Sequence, residues 1–421
     1  MKIFKPLRNN RGMALMIVTA CIMFIMYFAT ELVADTRIEY EINSSGLNRV
    51  KAYYAAKSGL QLALLRVKIY QQAQSKFGAQ LGNSSPMLNQ IWQFPFAWPL
   101  PIPDELSAVD KDSFKKLVKD STMDASYITT IEDEGSKIDI NDLISPSESL
   151  QKITRTQILN IFAQKMKEDE EWARAHSNTN FEQIVNNIAD FMSSKNVSLN
   201  GGDKRARYAE ANRESSTGDY WPPNRGFRTL QEMRFVPDLT DELFTLLESR
   251  VTIYGMKGIN PNLATKDVLK SLDPGMTEEA VSEIMKRRND QNEGGPFKDA
   301  ADFWNFVSTK NVRLEGDTQA IPLVFDSVFN FKIRSTGEFA GSTREITAIV
   351  MDLNKVATKI KDYVDKDKKD ANPGADANNN NNNNNNSNGN NNNANNQGGN
   401  QQNKSDPIPK GPPRIVFWSE R

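Results

Sequence analysis

The sequence predicts an α+β fold: a long N-terminal helix, transmembrane in its first part and amphipathic in its second, packs on a small antiparallel sheet that is split by a large all-α insertion. Three observations lead to this prediction. A run without charged residues extends from Met13 to Ala29. Apolar residues then recur at helical spacing to about residue 77. Segments with strand-like alternation flank roughly 190 residues of helical pattern.

The apolar run is long enough to enter a bilayer. Met13–Ala29 would form roughly 25 Å of helix, against a hydrocarbon core about 30 Å thick. Glu31 and Asp35 follow it closely, and four basic residues precede it: Lys2, Lys5, Arg8 and Arg11. This asymmetry predicts that residues 13–34 cross the membrane once, with a cytoplasmic N-terminus. A secretory signal peptide is the alternative, but the small-residue cleavage pattern that it needs is poorly matched.

The helical pattern continues past this run, without a proline before Pro86. A helix from Met13 to about Phe77 would be about 100 Å long, half of it in lipid and half against a folded domain. The apolar positions mostly recur at steps of three, four and seven residues: Ile38, Ile42, Val50, Tyr54, Leu60, Leu64 and Val67.

Composition narrows the possible functions. The chain has 38% hydrophobic and 25% charged residues, as in ordinary globular proteins of two or three domains. Without the four cations of residues 1–12, 48 of the 52 basic side chains would face 53 acidic ones, which argues against nucleic acid as the main partner. The only cysteine, Cys21, lies in the apolar run, and the only histidine, His176, is expected in a solvated loop. Zinc sites and Ser-His-Asp or Cys-His catalytic sets are thereby excluded or nearly so, and we expect no enzyme.

Strand patterns occur on both sides of the insertion. Tyr127–Ile131 and Lys137–Ile140 flank an acidic turn and predict a hairpin. A second hairpin is predicted from Phe329–Arg334 and Glu345–Met351, with its turn at residues 337–341. We interpret these segments as one small antiparallel sheet.

The connector of residues 78–124 contains five prolines from Pro86 onward, which predict an extended path without regular helix. Its aromatic side chains alternate between Trp92 and Trp98, so one face is expected to pack on the head domain, a binding groove being the alternative. Helical patterns then dominate from about residue 141 to 320.

The basic leader that ends in Gly12, followed by an apolar helix that runs into a soluble head, resembles type IV pilins and type II secretion pseudopilins. Most members have Glu as the fifth residue of the mature chain, where this chain has Ile17. An apolar residue there is similar to the minor pseudopilins of the protein K family, in which a large helical domain is inserted into the pseudopilin sheet. The resemblance implies cleavage by prepilin peptidase between Gly12 and Met13, and N-methylation of Met13.

The resemblance also implies a function and partners. The family's Glu is thought to pair with the terminal amine of a neighbouring subunit, so a subunit with Ile17 would begin or cap a filament. The expected role is that of a minor pseudopilin at the tip of the type II secretion pseudopilus, for export across the outer membrane of a Gram-negative bacterium. The expected partners are other minor pseudopilins in a tip complex, prepilin peptidase, the secretion inner-membrane platform and the inner membrane. An ordinary signal anchor, in which Ile17 is merely apolar, is the alternative.

A calcium site is a further implication of the resemblance, since family members hold calcium in the first helical part. Asp190-Phe191, Gly202-Asp203 and Tyr208 partly resemble the family motifs there. Hard oxygen ligands suit calcium. The candidate ligands are Asp190, Asn196, Asn200 and Asp203, with a solvated loop as the alternative; no other cofactor is expected.

The most specific stretch after the N-terminus resembles protein K and the helix-hairpin-helix (SAM-like) modules that bind DNA phosphates. Here the hairpin continues with Glu278 and Glu279, which repel phosphate, so we expect a structural module and no nucleic acid. A membrane-anchored DNA-uptake protein and a minor pilin of a type IV pilus remain alternatives. The matching residues are Asn260, Asn262, Ala264, Pro274, Gly275, Arg287, Arg288, Gly295, Pro296 and Phe297.

The end of the chain combines a polar tract with an apolar cluster. Asn dominates from Asn378 to Asn403, which predicts disorder. We expect Arg414–Trp418 to add as an edge strand to this subunit or to a tip partner, or else to remain loose. The expected division is: leader 1–12; N-terminal helix 13–77; connector and first part of the sheet 78–140; helical insertions 141–256 and 257–320; second part of the sheet 321–356; disordered linker 357–410; apolar tail 411–421.

Overall fold

The computed structural model describes residues 10–421 except 82–85, 100–111, 113–115, 117, 215–220, 311, 316–320, 326–327 and 372–412. Residues 1–9 of the predicted leader and most of the predicted linker therefore lie outside the described residues. The helices are α1 (Asn10–Leu81), α2 (Pro86–Gln93), α3 (Glu148–Glu168), α4 (Glu170–Ala175), α5 (Phe181–Met192), α6 (Lys204–Glu214), α7 (Asp241–Glu248), α8 (Lys266–Lys270), α9 (Glu278–Asn289), α10 (Ala300–Ser308) and α11 (Leu353–Ala371). The strands are β1 (Phe96–Trp98), β2 (Ser126–Asp133), β3 (Ile138–Asp139), β4 (Val251–Thr252), β5 (Asn330–Phe339), β6 (Ser342–Met351) and β7 (Ile415–Glu420).

The predicted α+β fold is confirmed, and α1 is its longest element, with 72 residues. The last part of α1 lies across one face of the sheet at very short range. A Cβ atom on Gly59 would lie 2.4 Å from the Ser335 Oγ, and one on Gly337 would lie 2.1 Å from the Ala52 carbonyl oxygen. The buried side chains of α1 in this contact are Ala55, Ala56, Leu60, Ala63, Val67 and Tyr70.

The sheet has the order β1-β2-β5-β6-β7, and each neighbouring pair is antiparallel. The predicted hairpin of β5 and β6 is present, but its turn is tighter than expected. Only Ala340 and Gly341 connect the strands, with φ values of 46° and 78°. Gly337 therefore lies inside β5, where the close approach of α1, and not the turn, requires glycine.

The predicted hairpin of residues 127–131 with 137–140 is wrong. β2 pairs with β1 and β5, whereas β3 pairs in parallel with β4, Ile138 opposite Val251. Ile138 and Ile140 are buried in the core of the insertion. The apolar residues of this alternating segment are buried as expected, but they are buried in the core of the insertion and not in the core of the sheet.

Both predicted parts of the insertion contribute to one hydrophobic core. Its buried side chains form a single cluster from Ile138 to Val307, which includes both predicted parts, 141–256 and 257–320. Asn160 Nδ2 donates to the Leu272 carbonyl across the predicted boundary, at 3.3 Å.

The connector contains a helix that its prolines were expected to forbid. Pro86 occupies the start of α2, where the first amides of a helix have no intrahelical acceptor, so its missing N–H costs nothing. Trp92 of α2 packs edge-to-face on Phe331 in the core, 5.5 Å between centroids. Phe94, which follows the helix, is exposed.

A second predicted irregular segment is also helical. Residues 357–371, assigned to the disordered linker, form most of α11. Asp367 of α11 accepts a hydrogen bond from Ser147 Oγ, the N-cap of α3, at 2.6 Å. This contact joins α11 to the insertion. Packing against α3 therefore stabilises a helix whose polar sequence was assigned to the linker.

The apolar tail forms β7 on the edge of β6, which confirms the predicted edge strand. The ladder extends from Ile415 opposite Val350 to Glu420 opposite Ile346. Tyr53 Oη of α1 donates to Glu420 Oε1 at 3.2 Å and connects the strand to the helix. The strand thus adds to its own subunit, one of the two places that the sequence allowed.

Candidate functional site

The first part of α1 projects from the rest of the described molecule. Every described side chain from Met13 to Asn43 is exposed. An 18-residue stretch has a mean hydropathy of 2.2, so by length and composition this helix could cross a membrane. The predicted cleavage bond, Gly12 to Met13, lies in the first turn of α1, and Ile17 is exposed one turn later.

The insertion lies at the opposite end of α1 from the apolar run. Lys51 Nζ lies 4.2 Å from the centroid of the Phe339 ring, beside the β5–β6 turn. At the other end of the sheet, the Val328 amide donates to Tyr70 Oη at 3.2 Å. Residues 51 and 70 are about 28 Å apart along a helix. The segments that lead into the insertion and out of it therefore meet at the end of the sheet that is farthest from the apolar run.

The residues of the helix-hairpin-helix-like stretch hold the insertion together. The Asn262 side chain and the Phe297 backbone exchange two hydrogen bonds, of 2.9 and 2.8 Å. Arg288 Nη1 donates to the carbonyls of Pro261 and Ala264, at 2.9 and 2.7 Å. These residues fix the segment before α8 to the end of α9.

The hairpin itself offers little to a phosphate. Asp273 Oδ1 already accepts the amides of Gly275 at 2.7 Å and Glu315 at 3.1 Å. A Cβ atom on Gly275 would lie 2.0 Å from the Arg313 carbonyl, so this glycine serves close backbone packing. Glu278 at the following helix start pairs with Lys270. Because the hairpin amides of Gly275 and Met276 already have acceptors and Glu278 follows them, the geometry favours a structural module.

Residues 259–324, which contain these contacts, match the family model described as Type II secretion system (T2SS), protein K. The helix-hairpin-helix-like stretch is therefore similar to protein K. A chain of the crystal structure of the GspK-GspI-GspJ complex from enterotoxigenic Escherichia coli is also similar in fold, with 15% sequence identity and a TM-score of 0.49. That similarity covers 76% of this chain and 95% of the other. No curated protein sequence matches the chain.

This match likens residues 259–324, and not the whole chain, to a component of the type II secretion system. The resemblance inferred from residues 258–306 is confirmed, whereas the resemblance inferred from the N-terminus stays a prediction. The N-terminal apolar helix is long and apolar enough to cross a membrane once.

The four predicted calcium ligands lie at the end of α5 and in the loop of residues 193–203 that follows it. Asp190 is buried, and its Oδ2 accepts hydrogen bonds from Ser198 Oγ at 2.6 Å and from the Leu199 amide at 3.0 Å. Asn200 Nδ2 donates to Asn187 Oδ1 at 2.9 Å, back onto α5. The structure thus brings Asp190 and Asn200 to one place, as parts of a hydrogen-bonded loop.

The other two candidates do not complete a metal shell. The Asn196 carbonyl accepts the Lys204 amide at 3.0 Å, and Asp203 Oδ1 accepts the Arg205 amide at 3.0 Å, while both side chains are exposed. Among the residues that the structure describes, no group of three or more His, Cys, Asp or Glu side chains could hold a metal ion. The donor set therefore does not fit the six to eight oxygen ligands that calcium requires.

A lysine that the sequence did not single out occupies this place. Lys204 is buried, and its Nζ donates to the Asp190 carbonyl at 3.1 Å, the Ser193 carbonyl at 2.6 Å and Asn224 Oδ1 at 2.6 Å. We call these three acceptors the oxygen cage. No spacing pattern connects a lysine with an asparagine 20 residues later, so the sequence offered no signal for it.

A second buried charge cluster lies where the insertion leaves the sheet. Lys257 Nζ pairs with Asp139 Oδ2 and, at 2.7 Å, with Asp142 Oδ1, and all three side chains are buried. Burial alone would lower the pKa of Lys257, but the two carboxylates raise it. Burial and the neighbouring Asp139 raise the pKa of Asp142 to about 7, against the opposing effect of Lys257. The cluster joins β3 to the segment after β4.

His176 was expected to be a solvated loop residue, and this prediction is wrong. Its ring stacks on Trp172, with 4.1 Å between centroids, and is half-buried. It caps α4 and takes part in packing.

Proposed function

We propose that this chain begins or caps the type II secretion pseudopilus at its tip, in a complex with other minor pseudopilins. The observation that carries the proposal is the position of the insertion, at the end of α1 opposite the apolar run. A subunit stacked beyond that end would need the space that the insertion fills. The exposed stem of Met13–Asn43, by contrast, is open to neighbours on its sides.

The apolar part of the exposed stem, Met13–Ala29, also supports the proposed partners and location. Met13–Ala29 has no charge to neutralise in lipid, so parallel helices of other minor pseudopilins would pack on it through apolar side chains alone. We propose an inner-membrane anchor with a cytoplasmic N-terminus and a periplasmic head, engaged by prepilin peptidase and by the secretion inner-membrane platform. A role without catalytic activity is part of the proposal.

Cleavage by prepilin peptidase is tested by mass spectrometry of the N-terminus of the chain isolated from membranes. We expect a mature chain that begins with N-methylated Met13. An intact N-terminus, or cleavage after residue 30, would contradict the proposed maturation.

The tip role is tested by assembly. In cells that lack this chain, we expect the remaining minor pseudopilins to fail to co-purify as one complex and pseudopili to become rare. Normal pseudopilus number and normal secretion without the chain would remove the proposal, whatever the outcome of the maturation test.

A further inference from the structure

We propose that Lys204 supplies a built-in cation to the first helical part, so that the loop of residues 193–203 folds without a divalent metal ion. The ammonium group sits in the oxygen cage, where its three N–H groups meet three acceptors at 2.6 to 3.1 Å. A lysine has three donors, so its hydrogen-bonding capacity is used completely.

The location favours a positive charge. Two acceptors of the oxygen cage, the carbonyls of Asp190 and Ser193, belong to the last turn and the C-cap of α5. Carbonyls at a helix C-terminus lack intrahelical donors and carry the negative end of the helix dipole. The carboxylate of Asp190 adds a negative charge nearby, held on the loop by Ser198 and Leu199.

The loop is built around these two groups. Val197 and Asp203 form an antiparallel bridge, and Gly201 and Gly202 turn the chain with φ values of 86° and 79°. Lys204 follows the bridge directly and starts α6. Its ammonium group therefore connects three segments: the end of α5, the start of α6 and the segment around Asn224. The backbone of Asn224 has a positive φ of 54°.

The first experiment follows thermal unfolding of the full chain in detergent, with an excess of EDTA or with about 10 mM CaCl₂, which exceeds the dissociation constants of about 10⁻⁴–10⁻³ M of extracellular calcium sites. We expect the same midpoint in both. A midpoint that rises by about 2–4 °C or more with CaCl₂ and falls again with EDTA would overturn the proposal, because a bound ion stabilises the folded state by mass action.

The second experiment removes the charge. Lys204→Met keeps the aliphatic stem but leaves the oxygen cage without donors, and we expect the midpoint to fall by on the order of 4–10 °C. Lys195→Met, at an exposed lysine of the same loop, is the matched control and is expected to change little. Equal midpoints for the two variants would overturn the proposal.

A milder variant decides the matter if Lys204→Met does not fold. Asn224→Gly removes one acceptor but tolerates the positive φ. We expect faster hydrogen exchange in residues 193–204 of this variant and unchanged exchange in β5 and β6. Wild-type exchange throughout the loop would contradict the role assigned to the oxygen cage.

Discussion

Two glycines lie where α1 crosses the sheet, and a third, Gly46, lies on α1 between the exposed stem and the sheet. Gly59 packs over Thr129 and Ser335, whose hydroxyl groups are hydrogen-bonded at 2.9 Å, and Gly337 packs under the backbone of Ala52. At Gly46, apart from the chain neighbours and the nearby helix backbone, no atom of the described residues lies within 4 Å of the position that a Cβ atom would take. Close packing therefore requires glycine at positions 59 and 337 but not at position 46.

We expect Gly337→Ala to lower the free energy of unfolding by about 1–3 kcal/mol or more, because the new methyl group meets backbone atoms that cannot rotate away. Gly59→Ala should also be destabilising, because the new methyl group meets the hydroxyl oxygens of Thr129 and Ser335 and the ring of Tyr127. The higher helix propensity of alanine, about 1 kcal/mol, offsets part of this cost. Gly46→Ala is the control and should be neutral or slightly stabilising. Thermal unfolding of the three variants measures this; equal midpoints would contradict the close helix–sheet contact.

The charge cluster of Lys257, Asp139 and Asp142 predicts a pH dependence. In the folded chain the pKa of Asp142 is raised to about 7, whereas in the unfolded chain it is about 4. Between these values the folded state keeps a proton that the unfolded state has lost. The contribution of Asp142 to stability is therefore fully present at acidic pH and is lost as the pH rises through about 7.

Asp142→Asn should flatten this dependence, because asparagine remains neutral at every pH. The free energy of unfolding of the wild type should fall with a slope of up to about 1.4 kcal/mol per pH unit from this group between about pH 4 and 7. The measurement is thermal or denaturant unfolding at several pH values. Glu279→Gln, at an exposed acid, is the control; the same pH profile for the wild type and Asp142→Asn would contradict the assignment.

At the scale of elements, β7 covers an edge that would otherwise be open. β6 is paired by β5 on one side and by β7 on the other, and Phe417 of β7 packs near Tyr254, 6.3 Å between ring centroids. An open edge of apolar residues favours pairing with other chains. The tail therefore completes the sheet of its own subunit and protects it.

Removal of residues 413–421 should lower the unfolding midpoint and accelerate hydrogen exchange in β6, because its outer backbone groups lose their partners. The truncated chain should also associate more readily at high concentration. Glu420→Ala, which removes the acceptor of Tyr53 but keeps the backbone ladder, should have a much smaller effect. Wild-type exchange in β6 of the truncated chain would show that β7 does not pair there.

At the scale of the whole molecule, the apolar stem and the insertion occupy opposite ends of α1. Ile17 lies in the apolar run that we expect to cross the membrane. A carboxylate at this position would cost about 2.5–3.5 kcal/mol on insertion scales unless it were paired. The head, with its own two cores, lies far from this residue along the helix.

Under the proposed function, Ile17→Glu should leave membrane insertion and the head intact but reduce co-purification with other minor pseudopilins, because the added carboxylate has no partner in lipid. Ile17→Leu is the matched control and should behave as the wild type. Membrane fractionation and pull-down of the complex are the measurements. Unchanged tip assembly and secretion in Ile17→Glu would show that the apolar residue is unimportant.

The sequence by itself determined the elements whose information is local. The long helix follows from an uncharged run and its 3.6-residue periodicity, the β5–β6 hairpin from alternation, and the protein K module from a compact set of residues between Asn260 and Phe297. The edge strand was predictable because an apolar cluster of β-branched and aromatic residues needs a partner.

Only the tertiary structure decided which core each apolar segment joins. The alternation at Ile138–Ile140 predicts a buried face, but its partner, β4, lies more than 100 residues later in the chain. The sequence placed calcium candidates at the end of α5 and in the loop that follows, but it did not indicate that Lys204 contacts this region or that Asn224 binds Lys204. The periodicity of apolar residues indicates that a side chain is buried. It does not indicate which side chains surround it, because these belong to segments that are distant in the sequence.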